Sequence, residues 1–121
     1  LSFGLEDLVQ DFDAWSLFKL LNDRPINEVI EEYYNSDNTN RVNNFINRRM
    51  AYGAYPDTIV DSDSANTKLY KLAKFYLEQD SSFVNEIIMQ IFQAINPPEF
   101  TMIEELADKI AHAFANKLTS L

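Results

Sequence analysis

The sequence predicts an all-α fold, a single domain over residues 1–121 built from about six helices in an orthogonal or bundle-like arrangement. Three observations predict it. Apolar residues recur at steps of three and four along most of the chain. No segment shows the strict alternation of a half-buried strand. The polar and proline-containing stretches between the periodic segments are short, and each carries a helix stop or cap signal.

The first helix places Leu5, Leu8, Val9, Phe12 and Trp15 on one face, with Glu6, Asp7, Asp11 and Asp13 on the other. Ser2 is its predicted cap, and the early acids suit the positive end of the helix dipole. Apolar residues wrap all round from Leu17 to Leu21, which predicts that this end is buried on every side. Asn22, Asp23, Arg24 and Pro25 stop it, with Pro25 in the first turn of the second helix. That helix turns Ile26, Val29, Ile30 and Tyr33 inward and Glu28, Glu31 and Glu32 outward. Asn35-Ser36-Asp37-Asn38 is a polar turn.

The third helix runs to about Met50, with Val42, Phe45, Ile46 and Met50 on its apolar face and Gly53 as its stop. Ala54–Asp63 holds Pro56 and three aspartates without helical period and is the longest loop. Ser64 caps the fourth helix, which turns Leu69, Leu72, Ala73 and Tyr76 inward. Gln79-Asp80-Ser81-Ser82 separates it from the fifth. Val84, Ile87, Ile88, Ile91, Phe92 and Ile95 give the fifth helix the widest apolar face, which predicts a central position. Pro97-Pro98 ends it, and Thr101-Met102-Ile103-Glu104 reads as the capping box of the sixth. Trp15, Phe12, Phe45, Ile88, Ile91, Phe92 and Phe114 are expected to share one core.

Composition narrows the class. At 121 residues with 46% hydrophobic and 13% aromatic content, the chain can build a core without disulfides or metals. No apolar run approaches the roughly eighteen residues of a membrane span. The acidic, periodic start is the reverse of a secretory leader. Zero cysteines suit a reducing compartment, so a cytoplasmic location is expected.

Net charge is −9, unevenly spread. Residues 1–37 carry nine acids against Lys19 and Arg24, a net of −7. Residues 38–76 carry three acids against six bases, a net of +3, and residues 77–121 return to −5. Such a chain is repelled by nucleic acid and anionic lipid and favours basic partners.

Chemistry-bearing residues are scarce. Gly4 and Gly53 stand too far apart for a phosphate loop, and His112 has no second imidazole or thiolate to share a metal with. No cofactor and no metal are expected. The loop DTIVDSDS offers Asp57, Asp61 and Asp63, but Ala65, Asn66 and Leu72 stand where a calcium loop needs a ligand, a glycine and a glutamate. His112 follows Asp108 by four residues, the spacing of a surface helix pair.

Two functional readings follow. The leading one is a non-enzymatic protein, an inhibitor, immunity-type protein or regulatory adaptor, that binds another protein with a basic surface. Asp7, Asp11, Asp13, Glu28, Glu31 and Glu32 form its steering surface, and Phe75, off the apolar stripe among Lys68, Lys71 and Lys74, is a candidate anchor. Tyr52 and Tyr55 beside Gly53 are further exposed-aromatic candidates, and homodimerisation through the first or fifth helix is open. The alternative is a helix-turn-helix regulator using residues 26–50, in which Arg41, Asn43, Asn44, Asn47, Arg48 and Arg49 would meet DNA.

Overall fold

The computed structural model describes residues 9–36, 40–92 and 100–120, and side chains within 90–102 lie outside the described residues. Six helices follow one another: α1 (Ala14–Asn22), α2 (Ile26–Asn35), α3 (Arg41–Tyr52), α4 (Ala65–Gln79), α5 (Ser82–Phe92) and α6 (Phe100–Thr119). No strand occurs among the described residues.

The first predicted helix does not run unbroken. Val9 and Gln10 are helical, the backbone leaves the helix at 11–13, and Asp13 starts α1 afresh. The Asp13 carboxylate accepts from the Trp15 N–H at 3.0 Å and from the Ser16 hydroxyl at 2.7 Å. An aspartate satisfies the orphan donors of a new helix better than it serves the interior of an old one, and here that local choice wins. At the far end Asp23 adopts the left-handed conformation (φ 54°, ψ 38°), which Asp tolerates better than most residues. Pro25 stands just ahead of α2 rather than inside its first turn.

Other boundaries follow the cap chemistry. The Ser64 hydroxyl accepts from the Thr67 N–H at 3.1 Å and opens α4, and the Asp80 carboxylate accepts from the Ser82 N–H at 3.0 Å beside the start of α5. α6 begins at Phe100, so Thr101 lies within its first turn and not ahead of it; helix ends commonly shift by a residue. Gly53 ends α3 without using a left-handed conformation, since its φ is −124°. What it provides is room: a Cβ there would lie 2.6 Å from Nη2 of Arg49.

α4 and α6 lie along each other over the longest shared face and form the spine of the domain. Leu69, Leu72, Ala73 and Leu77 of α4 meet a layer of Leu106, Ile110, Phe114 and Leu118 from α6, all buried. α1 and α2 pair with each other and rest on the spine through α1, while α3 leans on α4. Among the described residues the fifth helix is therefore not the centre; the side chains of Ile91, Phe92 and Ile95 on its apolar face lie outside them. Phe83, Val84, Ile87 and Ile88 are buried, but Met89 is exposed, and the long amphipathic pair α4–α6 offers more continuous surface than an eleven-residue helix.

Of the expected core, Phe45, Ile88 and Phe114 are buried, while Phe12 and Trp15 are partly buried and pack against it. The side chains of Ile91 and Phe92 lie outside the described residues. Trp15, Phe18, Tyr33 and Phe45 form a chain of aromatic contacts, with ring centroids 5.6, 5.2 and 4.4 Å apart in successive pairs through Phe18. Ile59 enters the core from the long loop, which has no helical period to announce it.

Candidate functional site

The acidic side chains singled out in the sequence take three kinds of position. Asp11, Glu28 and Glu31 are exposed on the α1–α2 half of the molecule, and Asp7 lies outside the described residues. Asp13 is exposed but caps α1. Glu32 is committed: one carboxylate oxygen accepts from Arg24, and the other accepts from Arg48 at 2.8 Å. Arg24 also lies 3.8 Å from Glu28.

Of the α3 arginines, Arg48 meets one of these acids, Glu32. Arg41, nine-tenths buried, sits 5.1 Å from the Tyr33 ring and 5.7 Å from the Tyr34 ring, in the geometry of a cation–π contact. Arg49 donates to the backbone carbonyl of Leu21 and lies 3.8 Å from the Asp23 carboxylate. Asn43, Asn44, Asn47 and Arg48 are exposed on one face, as the groove-reading alternative requires. The cations meant to flank that face are not beside it in free form. The principal neighbour of α2 is α1 and that of α3 is α4, so the second helix does not pack behind the third over a long face.

Phe75 is half-buried and lines a groove with Leu21, Arg49, Ala54, Leu72, Tyr76 and Gln79, so neighbouring elements cover much of it. Tyr52 and Tyr55 are exposed, Tyr52 by 86%. Lys68, beside Phe75 on the lysine face, is half-buried. Asp63 is drawn away from any ion-holding loop. It accepts from Lys71 at 2.8 Å and from the Val60 N–H at 3.0 Å, and the Lys71 hydrogen bond, followed by the Val60 one, holds its carboxyl below the usual range. Asp57 and Asp61 are exposed, and no group of three or more potential metal ligands occurs among the described residues.

His112 does pair with Asp108, at 3.9 Å, within a larger cluster that links α4 to α6. The Tyr70 ring stacks on the imidazole with centroids 3.9 Å apart and planes inclined by 15°, and its hydroxyl donates to Asp108. Lys74 lies 3.7 Å from Asp108 and 3.9 Å from Glu78. Burial, then the Asp108 carboxylate, raises the Tyr70 pKa and keeps the phenol protonated. Burial opposes the charge on Lys74, but Tyr70, Glu78 and Asp108 outweigh it and raise its pKa. These contacts link α4 to α6.

A second surface feature escaped the sequence reading. Leu20 was expected to be buried with the rest of 17–21, yet it is 36% exposed, and Lys19 is exposed beside it. Leu20 lines an open groove of about 280 Å³ with Asp11, Asp13, Glu86 and the edges of the buried Phe83 and Ile87. The available signal was Lys19, a charged residue inside the run at 17–21 that marks a solvent-facing side next to Leu20.

A family model described as YkzU uncharacterised protein matches residues 1–121. The chain belongs to the YkzU family. No curated protein and no solved structure matches it. Among the described residues of this YkzU-family chain, no helix is long and apolar enough to cross a membrane.

Proposed function

We propose that this YkzU-family chain is a non-enzymatic cytoplasmic protein that works by binding another protein through the acidic α1–α2 half of its surface. The observation that carries the reading is the disposition of its arginines. Arg24 and Arg48 converge on Glu32, Arg41 is buried against two tyrosines, and Arg49 is directed to the Leu21 carbonyl. Arg41 and Arg49 are thereby drawn into the fold and Arg48 is paired at its surface, while Asp11, Glu28 and Glu31 are exposed. A surface of that sign attracts a basic partner and raises the rate of encounter more than the lifetime of the complex. An inhibitor, immunity-type protein or regulatory adaptor has this chemistry. The charge-reading surface requires no cofactor.

The test uses the partner recovered from host extract. Replacing Glu28 and Glu31 with glutamine should slow association, leave dissociation nearly unchanged and flatten the salt dependence of the on-rate. An on-rate that is the same from low to high salt refutes the steering mechanism. The DNA-binding alternative has one observation in its favour, the exposed Asn43, Asn44, Asn47 and Arg48 face. Sequence-selective binding to duplex DNA at low salt, lost in Arg48→Ala, would replace the proposal with that reading.

A further inference from the structure

α2 and α3 border one cleft with matching faces. Val29, Glu32 and Tyr33 of α2, with Ser36 at its cap, fall at the i, i+3, i+4, i+7 spacing of one helix face. Arg41, Asn44, Phe45 and Arg48 repeat that spacing along α3. Arg24, ahead of α2, lines the cleft as well. Its volume is about 60 Å³. That is far below the roughly 300 Å³ at which pockets for larger organic ligands begin, yet more than one water needs.

The charge of this cleft is the exception in a chain of net −9. Three arginines line it against one carboxylate, Glu32. Each Glu32 oxygen takes one donor, from Arg24 or from Arg48, and a guanidinium carries five. Arg41 is the least compensated of the three. It is only 9% exposed, yet no carboxylate pairs with it among the described residues. Its Nη1 donates to the Tyr33 carbonyl at 3.5 Å, the long limit of a hydrogen bond. The Tyr33 and Tyr34 rings add to that bond, but a buried charge ordinarily has an opposite charge beside it too.

We propose that this cleft is a binding site for a small phosphate-type oxyanion, held among the guanidinium groups of Arg24, Arg41 and Arg48. One guanidinium fork matches two oxygens and saturates a planar carboxylate, whereas three forks suit a tetrahedral anion. Glu32 is the internal competitor: it orders Arg24 and Arg48 and offsets part of the charge a ligand would meet. The site does not depend on the protein-binding function proposed above.

Inorganic phosphate is titrated into the intact protein at constant ionic strength, with chloride as the control, and followed by calorimetry and amide chemical shifts. Glycerol phosphate in a second arm separates an esterified phosphate from the free ion. Phosphate should bind saturably and shift resonances of α2 and α3. Arg48→Gln, at an exposed position, should weaken binding roughly ten-fold, as loss of a charge-assisted bond does. Glu32→Gln removes the competitor and should tighten binding roughly three-fold. Arg41→Lys keeps the charge without the fork and should weaken binding. Circular dichroism checks that each variant is folded.

Absence of phosphate binding, equal resonance shifts with chloride, or binding indifferent to both Arg48→Gln and Glu32→Gln overturns the site. So does phosphate binding by Asp37→Asn but not by the wild type. Asp37, four positions before Arg41 in the chain and outside the described residues, would then be the arginine's counter-ion. Binding of duplex DNA without binding of phosphate overturns the site in favour of the groove-reading alternative.

Discussion

The hydroxyl of Tyr33 donates a 3.1 Å hydrogen bond to the backbone carbonyl of Leu118, joining α2 to the last turn of α6 across 85 positions of the chain. The last carbonyls of a helix lack intrahelical donors, so this bond satisfies a group that burial would otherwise leave unpaired. Burial, chiefly, raises the Tyr33 pKa and keeps the donor proton in place. Tyr33→Phe removes the donor and keeps the ring. It should lower stability by about 1–2 kcal/mol in urea denaturation. An unchanged midpoint would mean that water takes over the carbonyl.

Phe114 is fully buried at the heart of the α4–α6 layer. Phe114→Ala should cost about 3–5 kcal/mol, because the helices on either side cannot close a void that size. The midpoint of chemical denaturation should fall while the slope stays near its wild-type value. A loss below 1 kcal/mol would place Phe114 outside the principal core.

Asp63 and Asp80 make a prediction about acid. Hydrogen bonds from Lys71 to Asp63, and from Ser82 to Asp80, hold both carboxyls below the ordinary aspartate value. A lowered native pKa means that the unfolded chain takes up protons first as pH drops. Stability from these groups is therefore complete above about pH 3.9 and is lost as pH falls through their lower native values. Asp63→Asn should shrink the acid-induced fall in thermal midpoint over that window. An acid limb identical to the wild type would show that the Lys71 pair is not coupled to folding.

Glu32 receives two arginines, but all three side chains keep 39–51% of their exposure. Solvent screening at that exposure limits what the pairs contribute. Glu32→Gln should change stability by under about 1 kcal/mol. A larger thermal shift would identify the Arg24–Glu32–Arg48 cluster as a structural joint between α2 and α3.

The helices were legible because each carries a period and some carry a cap: Ser64 before α4 and the Asp80–Ser82 turn before α5 are local signals, and the fold honours them. The break at Asp13 was missed because its residues fit the helical period as well as they fit a new cap. Centrality was misassigned to the fifth helix because a wide apolar face states how much a helix can bury, not which partner it meets. That the arginines of α3 would be absorbed by Glu32, Tyr33 and the Leu21 carbonyl depends on tertiary approach, which charge counts along a sequence do not contain. The same holds for the α1–α5 groove, whose two walls lie far apart in the chain.

The pairing of α4 with α6 also sets a schedule for synthesis. Half of the spine is not available until Leu118 has left the ribosome, because Leu69, Leu72 and Leu77 of α4 wait for Leu106, Ile110 and Phe114. Earlier helices can form as they emerge, yet their apolar faces stay open to other nascent chains or to chaperones until the last helix arrives. A stalled chain that ends before α6 should therefore leave α1 to α5 protease-sensitive, and emergence of α6 should protect them together.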